Sequence, residues 1–85
     1  MKGATYTDLK NLCEAINKQI SRLGGTMGYQ VGSRYNYYAI DTVNLKTGGI
    51  HDTFRAGLTK SQCDDILYAV SRTLDNLEFA KKEVA

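Results

Sequence analysis

An α+β fold of the order α-β-β-β-α, a small antiparallel sheet with two helices packed on one face, is predicted by three features of this 85-residue sequence. Apolar residues recur at three- and four-residue spacing toward both ends, the period drops to two in the middle, and glycine pairs punctuate the changes. With no proline in the chain, no element is broken from within.

Leu9, Leu12, Cys13, Ile16, Ile20 and Leu23 mark the buried stripe of an amphipathic first helix. Thr5 followed three residues later by Asp8 has the form of a capping box. Lys18 and Arg22 sit near the end whose carbonyls attract cations, and Gly24-Gly25 supplies a left-handed stop.

From Thr26 to Phe54 the sequence is rich in Tyr, Val, Ile and Thr, the residues of strands. Three strands are expected, at 27–31, 35–43 and 50–55, with Gly32-Ser33-Arg34 turning the first into the second and Lys46-Thr47-Gly48-Gly49 the second into the third. Alternation along the second strand puts Tyr35, Tyr37, Ala39, Asp41 and Val43 on one face and Asn36, Tyr38, Ile40 and Thr42 on the other. Tyr38 and Ile40 read as core positions, which leaves Tyr35 and Tyr37 on a side that no helix of this chain covers.

Thr59 as N-cap, Gln62 three residues on, and a Leu58–Cys63 hydrophobic pair start a second helix at Lys60. Its stripe is Cys63, Ile66, Leu67, Val70, Leu74 and Leu77, with Asp64 and Asp65 suiting its first turn and Lys81-Lys82 its last. At ~33 Å against ~24 Å for the first helix, it overhangs a three-stranded sheet. A 3-4 repeat through Cys63, Ile66, Val70, Thr73, Leu77, Ala80 and Val84, with Phe79 off the main stripe, makes this helix a candidate subunit contact. Fraying of the last turn is the other account of the overhang.

One domain, 1–85, accounts for the length, and so small a core is marginal without a disulfide, a metal or a second subunit. No CxxC, CxxH or HxxxH spacing announces a metal. Cys13 and Cys63 fall on apolar helical stripes, where a free thiol behaves as a small hydrophobe, and the reducing cytosol disfavours a disulfide between them. A homo-oligomer is the expectation that remains. A formal charge of +2 is far from the excess that makes nucleic acid the default partner. No apolar run approaches the ~20 residues of a bilayer span and no signal-peptide core follows Met1, so the expected compartment is the cytoplasm, with no membrane partner.

Catalysis has little to stand on. His51 is the one histidine, its neighbour Asp52 points to the opposite sheet face, and Ser33, Ser61 and Ser71 have turn or helix-surface explanations. Gly24-Gly25-Thr26-Met27-Gly28 follows a helix, whereas phosphate loops open one. Gly57-Leu58-Thr59-Lys60-Ser61 does open a helix and brings Arg55 and Lys60 near its free N–H groups, but it lacks Walker spacing and precedes Asp64 and Asp65. The expectation is therefore a protein that is not an enzyme, with no catalytic residue, metal or cofactor.

The informative cluster is aromatic. Tyr29, Tyr35, Tyr37 and Tyr38 fall within ten residues of one another, interleaved with Arg34 and neighboured by His51 and Arg55 of the third strand. Such a composition can stack bases and hold phosphates. Tyrosines also pack strands into cores and subunit seams. The candidate ligand-binding residues are Arg34, Tyr35, Tyr37, His51, Arg55 and Lys60.

With Ile16-Asn17, Tyr38-Ala39-Ile40-Asp41, Gly48-Gly49-Ile50 and Gly57-Leu58-Thr59 in this order, the chain resembles small phage and prophage helix-sheet-helix proteins of unknown function. The resemblance spans most of the chain and implies a viral or mobile-element accessory protein, a class that includes inhibitors of host defence and sponges for signalling nucleotides. The functional expectation is a non-enzymatic binding protein that takes a signalling nucleotide or a host protein in the host cytoplasm. The alternative is an accessory protein that binds single-stranded nucleic acid on the same face.

Overall fold

The computed structural model describes residues 5–84 and contains α1 (Tyr6–Arg22), β1 (Met27–Arg34), β2 (Tyr37–Asn44), β3 (Ile50–Leu58) and α2 (Lys60–Val84). The strands form an antiparallel meander in the order β1-β2-β3. The α+β class and the element order are those the sequence predicts.

Both helices start on a threonine. The Thr5 hydroxyl accepts from the Asp8 N–H at 3.1 Å while the Asp8 carboxylate accepts from the Thr5 N–H at 3.1 Å. Thr59 and Gln62 repeat the exchange at 3.1 and 2.9 Å. Each box satisfies two backbone donors that have no helical partner, and each cap contributes ~1 kcal/mol. Because α2 begins at Lys60, Asp64 and Asp65 lie beyond its first turn, which carries no acidic residue, contrary to the sequence expectation. At the other end of α1, the Gly24 N–H donates to Ser21 O at 3.1 Å and the Gly25 N–H to Ile20 O at 2.9 Å. Gly24 sits at φ 88°, a conformation that a side chain would strain.

Val31 and Ile40 oppose each other across β1 and β2 and so share a sheet face. Leu9, Cys13, Ile16 and Ile20 of α1, Leu58, and Cys63 and Leu67 of α2 join them in one buried cluster, which places both helices on that face. Leu58 and Cys63, the expected staple, are both buried in it. Each fully buried aliphatic side chain of this kind contributes ~1.5–3 kcal/mol. Cys13 and Cys63 are free thiols. Burial pushes the Cys13 thiol up to about 11, against a smaller opposing effect of a hydrogen bond from the Val31 backbone, and burial raises Cys63 as well. Farther along, the buried Gln19 amide donates to the carboxylates of Asp75 and Glu78 and ties α1 to α2. Hydrogen bonds from Arg22, and then from Gln19, hold the Glu78 carboxyl below its ordinary range.

The strand bounds differ from the sequence reading at three ends, β1 closing at Arg34, β2 opening at Tyr37 and β3 closing at Leu58, each for a physical reason. β1 does not stop at Val31: Gly32, Ser33 and Arg34 are paired with Ala39, Tyr38 and Tyr37, and the turn is the two-residue Tyr35-Asn36, with Tyr35 at φ 21°. Gly32 is glycine because the Arg34 guanidinium lies over it, in the space that a Cβ would fill. β3 extends to Leu58 because it is bulged: the span from Tyr38 to Val43 in β2 faces the longer span from Leu58 back to Ile50, with register shifts at three points. Gly57, at φ 70°, sits in the first of these bulges.

Candidate functional site

α1 lies along the free edge of β1 and supplies that edge with hydrogen bonds a fourth strand would otherwise make. The Tyr29 N–H donates to Asn17 Oδ1 at 2.8 Å, and Asn17 Nδ2 donates to Tyr29 O at 2.9 Å. Two residues on, the Tyr6 hydroxyl donates to Val31 O at 3.4 Å. Tyr6 and Asn17 can do this together because residues eleven apart, about three helical turns, share a helix flank.

The same flank forms one wall of an open groove of about 440 Å³. Tyr6, Lys10 and Glu14 come from α1, while Gln30, Gly32 and Arg34 come from the opposite wall, β1. Lys10 Nζ stands 5.6 Å from the Tyr6 ring centroid, and the Tyr6 ring leans against Tyr38 at 5.9 Å. The groove thus brings together two cations, one carboxylate, the Tyr6 ring and the Gln30 amide, beside Asn17 and Tyr29.

Arg34 also faces inward. Its Nη2 donates to Asp41 Oδ2 at 3.1 Å, with the Arg34 side chain 39% exposed and that of Asp41 1% exposed. Asp41 Oδ1 is buried with no hydrogen-bond partner among the described residues. Gln30, Gly32 and Ala39 surround this pair on the sheet face opposite the helices, as the β1–β2 register dictates. Among the described residues no helix covers that face, as expected, and Tyr37 is exposed on it; Ala39, Asp41 and Val43 are nonetheless buried, with Arg34 laid across Gly32 onto Asp41.

Of the six residues expected to bind ligand, only Arg34 lines this groove. Tyr35 is not on a strand face but at the hairpin tip, fully exposed, and Tyr37 opens β2 opposite Arg34. Lys60 begins α2, two residues past Leu58, the partner of Tyr38, so it lies toward the same end of the sheet. Arg55 is farther along, opposite Ile40, and is exposed. His51 stands apart. It precedes Asp52, the partner of Thr42, which lies five residues along β2 from Tyr37, a distance of ~17 Å. The structure therefore does not gather the Tyr and Arg residues with His51.

Sequence reasoning missed Tyr6, Lys10, Glu14, Asn17 and Gln30. Their signal was an i, i+4, i+8, i+11 progression along one flank of α1, next to its apolar stripe, with an asparagine in mid-helix where propensity disfavours it. Among the described residues no group of three or more His, Cys, Asp or Glu could hold a metal ion, and no helix is long and apolar enough to cross a membrane. The chain matches no family model, no curated protein and no solved structure.

Proposed function

We propose that this is a non-enzymatic binding protein whose α1–β1 groove takes a small anionic ligand of the nucleotide class. The observation that supports the reading is the convergence of Lys10 and Arg34, from two different elements, on one groove that also offers the Tyr6 ring. A phosphate meets the two cations, a base stacks on the ring, and Glu14 or Gln30 accepts from an exocyclic amine. The groove's size is within the ~300–1,000 Å³ of small-molecule sites. Asp41 engages one Arg34 nitrogen, and the guanidinium keeps its other donors for a ligand. The biological setting follows the sequence resemblance: a phage accessory protein that counters host defence by withdrawing a signalling nucleotide.

The test is a thermal-shift and calorimetric screen of linear and cyclic nucleotides, with inorganic phosphate as the comparison. A ligand that binds only the folded chain raises the melting temperature. The proposal expects at least one nucleotide to bind better than phosphate, and Lys10→Ala to weaken it about tenfold or more without lowering the melting temperature of the free protein. Absence of any nucleotide response, or affinity indifferent to Lys10→Ala, overturns it. Binding of single-stranded oligonucleotides that falls steeply with salt, while mononucleotides are ignored, favours the nucleic-acid alternative on the exposed Tyr35, Tyr37, Arg55 and Lys60.

A further inference from the structure

The apolar stripe of α2 is progressively uncovered along its length. Cys63 and Leu67 are fully buried, Val70 and Leu74 are half-buried, and Leu77 is 53% exposed. Beside the stripe, an apolar cleft of about 380 Å³ opens between α2 and the sheet, lined by Ile20, Met27, Tyr29, Val70 and Leu74. Tyr29 packs edge-on against Phe54, with ring centroids 5.7 Å apart, and Phe54 is itself 49% exposed on the uncovered third strand. Stripe and cleft share Val70 and Leu74, and Tyr29 joins the cleft to Phe54.

The chain as a whole carries surplus surface. The chain exposes 5883 Å², whereas a compact monomer of 9.4 kDa exposes roughly 5,000 Å². The excess is on the order of the ~800 Å² that each partner contributes to a standard protein interface. We propose that the cleft is filled by a second copy of this chain, the two α2 helices crossing so that Leu77 of each protomer enters the cleft beside Val70 and Leu74 of the other. A two-fold contact requires a self-complementary patch, and here the projecting residue and the receiving cleft lie on one stripe of one helix, one to two turns apart. Although Tyr29 lines both cavities, none of Val70, Leu74 and Leu77 lines the α1–β1 groove, so the dimer stands independently of the proposed ligand.

Sedimentation equilibrium and light scattering test the proposal on the whole chain. The expected particle has about twice 9.4 kDa at tens of micromolar. Leu77→Glu places a charge in the cleft and should weaken association at least ~100-fold, with the circular dichroism of a folded monomer retained because Leu77 is exposed within one protomer. Phe79→Glu and Tyr68→Glu, exposed apolar positions on the opposite side of α2, should leave the dimer intact. A 9.4 kDa particle at hundreds of micromolar overturns the proposal. So does a dimer that survives Leu77→Glu and dissociates with Phe79→Glu, because the interface then lies on the other face.

Discussion

Along β1 the outward N–H and C=O of Tyr29 are taken up by Asn17 and the carbonyl of Val31 by Tyr6 of α1, whereas along β3 every residue from 51 to 57 is exposed. Both strands are edges of the same sheet. The difference lies in what borders them: α1 brings a polar flank to β1, and two of its side chains, Asn17 and Tyr6, stand in for a neighbouring strand. β3 has no such neighbour and is protected as exposed edges are, by bulges and by charge at Asp52 and Arg55. The closed edge is where a groove forms, because a helix docked beside a strand leaves a channel that a strand paired in plane would not.

Truncation should separate the two sides most strongly. Ile16→Ala, on the helix that closes β1, removes a fully buried side chain and should cost ~2–4 kcal/mol in urea unfolding; Ile50→Ala, on the open edge, should cost less than ~1 kcal/mol. Equal losses at the two positions would contradict the contrast.

Asn17→Ala should follow in size, with a loss of ~1–3 kcal/mol, since both Tyr29 backbone groups lose their partner at once. A loss under ~0.5 kcal/mol would show that the edge is satisfied by solvent and that α1 merely lies alongside it.

Alkali probes the same seam through Cys13. Its folded-state thiol titrates at about 11, above the 9.0 of the unfolded chain, so the folded state holds its proton longer. The stabilisation is fully present below pH 9.0 and is lost as the pH rises toward 11. Cys13→Ala should therefore flatten the fall in stability across that window. An unchanged slope would place the dependence elsewhere.

The smallest effect belongs to the open edge. Arg55→Ala and Thr53→Ala, both exposed, should change stability by less than ~0.5 kcal/mol.

Much of the framework was legible because local signals there have local causes. Thr5 with Asp8, Thr59 with Gln62, and Gly24 after the α1 stripe each act within four residues, and each element began or ended where they said. Gly32 misled because a glycine before Ser33-Arg34 reads as a turn, whereas it lies within β1 under the Arg34 guanidinium, which is drawn across it by Asp41 of the paired strand, a partner that only the β1–β2 register reveals. The length of β3 was hidden for a similar reason, since each bulge breaks the two-residue period by which strands are read. The candidate site was legible only at Arg34. Lys10, Tyr6 and Gln30 converge because α1 docks along an edge, and that docking depends on Asn17 meeting the Tyr29 backbone across the loop that follows the helix.

Native-state amide hydrogen exchange, residue by residue, tests the closed and open edges most directly. The Tyr29 amide points away from β2 and, held by Asn17, should nonetheless exchange only through near-global unfolding, as slowly as the Ile40 amide in the central strand, while the β3 amides not bonded to β2 exchange orders of magnitude faster. If Tyr29 exchanges as fast as those β3 amides, α1 does not close the edge, and the groove beside it loses its wall.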